Sequence, residues 1–471
     1  MAMEALAAMD ALMLGGEMLG SAMHVGVVLI LSPPSEAGPD YIDQIYTASL
    51  IDGHSLDPRL RRHPHHGLET GGVWVWRDAT EVDLREHLRR ITLPAGSGIT
   101  QLWELVSRLH SERLDLAKPL WTSALIDGLD DGRFALYIKI HHTVIDGVAG
   151  LRMISDSLST DPQRRSMPPF YADKTAPGGE ARTAGRRPRL PNPLAAVRAV
   201  AEAAAAGLDL TRRVAAAELA NIVGSLVSEA VVAPLDAPKT RFNARMSEHR
   251  TATGTALCRD RIRAVQEAAG VTGNDVITAV IAGALRTWLA ERDELPSQTL
   301  VAMVPVSVRS RADDGADAGG NQFGLGLCPL GTDIDDPAQR LTLIHDAMRN
   351  IKHQVADKGS DAMLAVMGPA IGSTVVLPLL PFGTPVPPSC NLAVSNVPGP
   401  AQPMYYNGAH LDEIYPVSSA FDGMALNVTV CSYAETISVG YVSDLEMLPD
   451  IDTLVPLTHA ALAELEAASA Q

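Results

Sequence analysis

Short runs rich in Val and Ile alternate with longer runs of helical spacing along both halves of this chain, and that alternation leaves few folds open. In the first half "FALYIKI" (134–140) alternates well enough for a strand, and "VAGLRMISDSL" (148–158) carries apolar residues at helical spacing. In the second half "GNDVITAVIAGALRTWLAERD" (273–293) reads as a helix, while "TLVAMVPVSVR", "NLAVSNV", "ALNVTVCSY" and "TISVGYVSD" read as strands. Interleaved strands and helices predict α/β layers, not an all-β or all-helical fold. At 471 residues the chain is well above one ordinary domain, so two domains of about 200 residues each are expected. Between them "YADKTAPGGEARTAGRRPRLPNP" (171–193) is dense in Pro, Gly and basic residues without apolar periodicity, which marks a linker or exposed loop. The Ala-rich stretch 194–233 that follows predicts one or two helices.

Composition excludes several classes. Aromatic residues make up only 4%, so the core is built mainly from Ala, Val, Leu and Ile. A net charge of −17 argues against nucleic acid as a partner. The four cysteines, Cys258, Cys328, Cys390 and Cys431, are far apart with no CxxC pairing; reduced thiols in a cytoplasmic protein are the expectation. The N-terminus is apolar from Met18 to Ser32, but the first Lys or Arg is Arg59, so the basic start of a secretory signal is missing. That run also falls short of the about 20 residues a bilayer span requires.

The most informative stretch is "ALYIKIHHTVIDGVAG" (135–150). It carries a strand, two adjacent histidines, a carboxylate and a glycine at the entry to a helix. Strand-to-helix junctions in α/β proteins are where chemistry is usually placed, because several backbones converge there on a rigid scaffold. Neighbouring strand residues face opposite sides, so His141 and His142 divide into one functional and one structural residue. A neutral histidine, with an ordinary pKa of about 6.5, suits a general base. Asp146 is placed to cap the helix or to pair with an arginine, and Gly147 permits the tight turn. The competing view is two ordinary satisfied histidines and a capping aspartate; the coincidence of all four features favours function. HH-x3-D is not a metal-ligand spacing and no Cys or Glu-rich partner lies nearby, so no metal is expected. "RRHPHHG" (61–67) holds three histidines but reads as a solvated loop.

HH-x3-DG is the signature of acyltransferases built like chloramphenicol acetyltransferase and peptide-synthetase condensation domains. "PLW" (Pro119 to Trp121) stands upstream of the histidines, "ND" (Asn274, Asp275) opens a helix, and "PVSVR" (Pro305 to Arg309) and "SNVPGP" (Ser395 to Pro400) follow. Together they make the chain resemble the bacterial wax ester synthase/diacylglycerol acyltransferase family over nearly its full length. The resemblance implies two chloramphenicol acetyltransferase-like domains, with a substrate tunnel at their interface. It divides the chain into an N-terminal acyltransferase-like domain (1–190) carrying HHTVIDG, a helical linker (191–240) and a C-terminal acyltransferase-like domain (241–471).

By resemblance His142 is the base that takes the proton of an acceptor hydroxyl, whose oxygen attacks the acyl-CoA thioester. No acyl-enzyme forms in that scheme, in keeping with the lack of a GxSxG elbow. Asp146 matches a loop-fixing residue, and Asn274 one near the reaction centre, where it orients substrate or stabilises the oxyanion; read from the sequence alone, Asn274 is equally a helix cap. His141 and Gly147 support. The superfamily motif DFGWG is missing here, as is usual for the wax ester synthase branch. Acyl-CoA is a substrate, and no cofactor is expected.

The acceptor implied is diacylglycerol or a long-chain alcohol, which places the protein peripherally at a membrane or lipid inclusion. Lys174, Arg182, Arg186, Arg187 and Arg189 are candidates for anionic headgroups, or equally a solvated linker. Residues 362–411 contain no charged side chain and read either as a docking surface or as buried core and crossover. Trp121 reads as a packing residue. Two other classes stay open: a related acyltransferase acting on a polyketide-like, peptide or other lipid acceptor, and a non-catalytic lipid-binding relative, which would be expected to lack the second histidine.

Overall fold

The computed structural model describes residues 4–6, 8–20, 22–50, 55–174, 235–307, 323–358 and 387–469. Most of the linker 191–240, with Arg182, Arg186, Arg187 and Arg189, lies outside the described residues, as does much of the uncharged run 362–411.

Two six-stranded sheets carry the molecule. The first runs, edge to edge, Tyr405–Tyr406, Ala409–Val417, His24–Ser32, Phe134–His141, Trp121–Leu129 and Leu88–Ser97. The second runs Phe323–Pro329, Val301–Ser307, Leu392–Pro398, Leu426–Tyr433, Thr436–Asp444 and Arg250–Cys258. In the second sheet Leu392–Pro398 lies parallel to both neighbours, a pairing that requires crossover connections. A small third sheet joins Glu4–Ala5, Val75–Asp78 and Arg62–His65. The segment expected as a solvated loop at 61–67 is therefore partly a strand, with Pro64 buried opposite Trp76.

A contiguous split at about residue 240 does not describe these sheets. Ala409–Val417, late in the chain, pairs with His24–Ser32 in the first sheet, from His410 opposite Ser32 to Val417 opposite Gly26. The reason is visible in its burial: Ala409, Leu411, Ile414 and Val417 join the apolar clusters of the first half. The expected C-terminal domain, 241–471, thus gives up two strands to its neighbour, Tyr405–Tyr406 and Ala409–Val417.

Each half packs around a fully buried tryptophan, Trp121 in the first and Trp288 in the second. Trp121 is the packing residue its context predicted, stacked between His87 and Tyr171 with its indole N–H donating to the Leu60 carbonyl. The helix Gly273–Ala290 is buried on nearly every side, touching both Leu454–Ser469 and Pro337–Lys358, so its sequence is apolar without a polar face.

The halves are joined tightly. The edge strand Arg250–Cys258 would leave backbone N–H groups unpaired, but Arg250 N donates to Ser111 Oγ at 2.8 Å and Ala252 N to Ser107 Oγ at 2.9 Å. Those serines stand four apart on the helix Ile99–Ser111 and so share a face. Gly254 and Gly440 are cross-strand partners at the same contact. A Cβ at Gly254 would come within 2.7 Å of both Trp103 and Tyr415, and one at Gly440 would overlap the Pro416 carbonyl. Only glycine lets the two sheets approach this closely. Among the described residues no single helix is long and apolar enough to cross a membrane.

Candidate active site

Phe134–His141 is the strand the alternation predicted, and it ends on the first histidine. His141 pairs with His24, and one residue further the His142 N–H donates to the Met23 carbonyl at 2.8 Å. The two rings then diverge, as strand geometry requires. His141 is fully buried. Its Nδ1 accepts from the Thr143 N–H at 3.2 Å and meets the Thr143 hydroxyl at 2.7 Å, so its proton sits on Nε2. That nitrogen faces Glu17 Oε2 at 3.5 Å. The same carboxylate oxygen accepts the Met23 N–H at 2.5 Å. Glu17 therefore stands beside His141 without a hydrogen bond to it, and braces His142 through the Met23 peptide.

His142 is half-buried. Its Nδ1 is buried without a hydrogen-bond partner, which leaves Nε2 as the nitrogen available to a substrate. Burial holds its pKa below the ordinary histidine value, outweighing its own main-chain carbonyl and the Asp146 carboxylate, which pull the other way. The neutral, proton-accepting form is thereby favoured at neutral pH. His142 shares strand parity with Ile138 and Ile140. An apolar cavity in the first half is lined by Leu29, Leu31, Leu125, Phe134, Ile138 and Ile154 among others, and neither His142 nor Asn274 is part of its wall.

Asp146 is the N-cap of the helix Gly147–Ser155, its Oδ1 accepting the Ala149 N–H at 2.7 Å. Of the two roles its position allowed, the cap is the one present, with no arginine ion pair among the described residues. Gly147 follows as the first helical residue.

Asn274 is not a cap. Thr272 caps the helix Gly273–Ala290, accepting from the Asp275 N–H at 3.3 Å, while Asp275 Oδ2 accepts the Thr272 N–H at 2.9 Å. This reciprocal pair displaces the cap two residues upstream of the position the sequence suggested, because Thr-x-x-Asp forms a capping box. Asp275, almost fully buried, also meets His345 Nδ1 at 2.8 Å and ties the helix start to Pro337–Lys358. Asn274 is left with a free helix-end position, and its Oδ1 accepts from Asn396 Nδ2 at 3.2 Å.

Asn396 belongs to "SNVPGP", at the carboxyl end of the parallel strand Leu392–Pro398. The next residue, Val397, brings Cγ2 to 3.8 Å from where a Cβ would stand on Gly147. Gly399 is forced, since a Cβ there would lie 2.9 Å from Cys431 Sγ and overlap the Ser432 carbonyl. Segments around 146, 274 and 396 thus meet at one place, with no hydrogen bond from Asn274 to His142. Sequence reading missed Glu17 and Asn396. A carboxylate in the last turn of the apolar helix Ala8–Leu19, whose other acid, Asp10, lies in the first turn, was the available sign for Glu17. Lys174, one candidate for headgroups, is tied down by the Met153 carbonyl at 3.0 Å and Ser157 Oγ at 2.9 Å.

Two six-stranded sheets, the first completed by a late strand and carrying a histidine at a strand end beside a capped helix, define a fold of the condensation-domain type. The starter condensation domain of rhizomide synthetase has it at a TM-score of 0.55, with 13% identity, covering 100% of this chain and 95% of that one. The family is narrower. Residues 6–277 match the wax ester synthase/diacylglycerol acyltransferase catalytic domain and residues 319–466 the C-terminal domain of the same family, and the chain belongs to it. A Mycobacterium tuberculosis protein described as a diacylglycerol O-acyltransferase is 37% identical over 466 residues, 98% of each chain. The wax ester synthase/diacylglycerol acyltransferase from Marinobacter aquaeolei VT8 superposes with a TM-score of 0.76 at 30% identity, covering 100% of both chains.

Proposed function

We infer that this protein is an acyl-CoA-dependent O-acyltransferase that moves a long-chain fatty acyl group onto the hydroxyl of diacylglycerol, a long-chain alcohol, or both. The observation that carries the chemistry is His142: a half-buried ring whose Nδ1 is enclosed, which leaves Nε2 for the substrate, and whose neutral form is favoured by burial. His142 Nε2 accepts the hydroxyl proton while the hydroxyl oxygen bonds to the thioester carbonyl carbon. The carbonyl π electrons move onto its oxygen. When the C–S bond breaks, the electrons return, and the imidazolium gives its proton to the departing CoA sulfur. No side chain is acylated. The Asn274 amide serves as a donor to the developing oxyanion or to the substrate that carries it.

Family membership supports the substrate classes; the acceptor lives in lipid, so the protein works peripherally at a membrane or lipid inclusion in the cytoplasm. The interface of the two halves, where the segments around 146, 274 and 396 meet, is where a tunnel for the two substrates belongs. Purified protein is given labelled palmitoyl-CoA and a panel of diacylglycerol, fatty alcohols and polyketide-like acceptors, with products resolved by thin-layer chromatography. Triacylglycerol or wax ester formed by the wild type and lost in His142→Ala is the expected result. Transfer only to the polyketide-like acceptor, or equal yields from both proteins, would overturn the reading.

A further inference from the structure

We propose that Asn396 is a positioning residue that sets which end of the Asn274 amide faces the reaction. The inference rests on the acyltransferase reading of the site. Helix Gly273–Ala290 holds the Asn274 backbone rigidly, through the Thr272–Asp275 capping box on one side and the Asp275–His345 contact on the other. What the helix leaves undetermined is rotation of the side-chain amide, whose two ends are opposite in hydrogen-bonding character and nearly equal in shape. A donor to an oxyanion requires the NH2 end. Asn396 Nδ2 donates to Asn274 Oδ1 at 3.2 Å, occupying the oxygen and leaving the NH2 group as the end that is free.

Asn396 is itself well placed for this. It stands at the carboxyl end of a strand parallel to both neighbours, where α/β sheets collect their ligands. The chain beyond it is fixed by Gly399, and Val397 lies against the turn at Gly147. The side chain of Asn396 is exposed, so its replacement opens no core cavity. Its contribution acts through Asn274, and that makes it separable from a purely structural one.

Steady-state kinetics with palmitoyl-CoA and an accepted alcohol, alongside melting curves, test this in the full chain. Asn396→Ala frees the Asn274 amide to rotate and should lower kcat about 5- to 10-fold, with KM for acyl-CoA within about twofold and an unchanged Tm. Asn396→Asp offers only acceptors; it draws the Asn274 NH2 group towards itself and should lower kcat further than Ala, although it is the closer isostere. In an Asn274→Ala background, Asn396→Ala should have no further effect, the signature of full coupling. Loss of the same factor in both backgrounds, or wild-type kcat in Asn396→Asp, overturns the proposal while leaving the acyltransferase reading intact. Wild-type kcat in Asn274→Ala removes the role of Asn274 and this proposal together.

Discussion

Glu17 offers a sharp test of how the two histidines are held. Its carboxylate is buried, and one oxygen accepts the Met23 N–H at 2.5 Å while lying 3.5 Å from His141 Nε2. Glu17→Ala removes a charge-assisted bond and leaves a buried N–H without a partner; together these should cost about 3 kcal/mol, a fall of roughly 3 °C in Tm for a cooperative unit of this length. The Met23 carbonyl, which receives the His142 N–H, relaxes with it, so turnover should fall by about 10-fold or more, equivalent to ~1.4 kcal/mol at the transition state. Glu17→Gln keeps an oxygen in the same place and loses only the charge. It should lose about 1 kcal/mol and retain most of the activity. Differential scanning calorimetry and the palmitoyl-CoA assay read both quantities. Tm within about 1 °C of wild type and turnover within about twofold in Glu17→Ala would refute the bracing role.

His142→Ala should reduce turnover by about 100-fold or more in a folded protein, while His141→Ala should act mainly on stability; equal activity losses with intact folding in both would reverse the assignment. Because burial lowers the pKa of His142, the acid limb of kcat/KM should lie below the ordinary histidine value of about 6.5, and a limb at or above that value would contradict the buried environment. Asp146→Ala removes a helix cap and should lower Tm and activity together, by about 1 kcal/mol in stability; activity loss at constant Tm would move Asp146 to the reaction centre. Asn274→Asp keeps the acceptor for Asn396 and suits a helix N-terminus, so Tm should hold while turnover drops about 10-fold or more; wild-type turnover would rule out the donor role. His110 is buried neutral, its pKa pushed down by burial to about 3, so acid favours the unfolded chain, which still binds the proton. Between pH 6.5 and 5 this group alone should remove about 2 kcal/mol of stability, and a urea midpoint that fails to flatten with pH in His110→Gln would show the loss lies elsewhere.

Local signals were readable where one segment makes the structure by itself. The strand up to His141, the helix after Asp146 and the helix after Thr272 all follow from periodicity and short motifs. The opposed faces of the histidine pair follow from strand pleat alone. Lys139 shows where reading stops: it interrupts an apolar strand, yet it is buried, its ammonium donating to the Leu109 carbonyl at 2.6 Å and the Glu112 carbonyl at 2.5 Å at the end of another helix. Burial pushes its pKa down to about 8. Glu17 with His141, Asn274 with Asn396, and the strand Ala409–Val417 with His24–Ser32 are pairings between distant stretches. No local pattern encodes a distant partner, and the Thr272 capping box was missed because Asn274 is itself a good cap.

The late strand Ala409–Val417 also sets the order in which a growing chain can become a protein. Until that segment has been synthesised, His24–Ser32 has no neighbour on one side, and its central residues Val28 to Leu31 border an open sheet edge. An exposed apolar edge is a template for pairing with other chains. The first half, although complete in sequence long before, therefore waits through most of translation for a strand close to the end, and folding depends on one very long loop closure. A ribosome stalled after residue 240 would present an aggregation-prone sheet, not a finished domain.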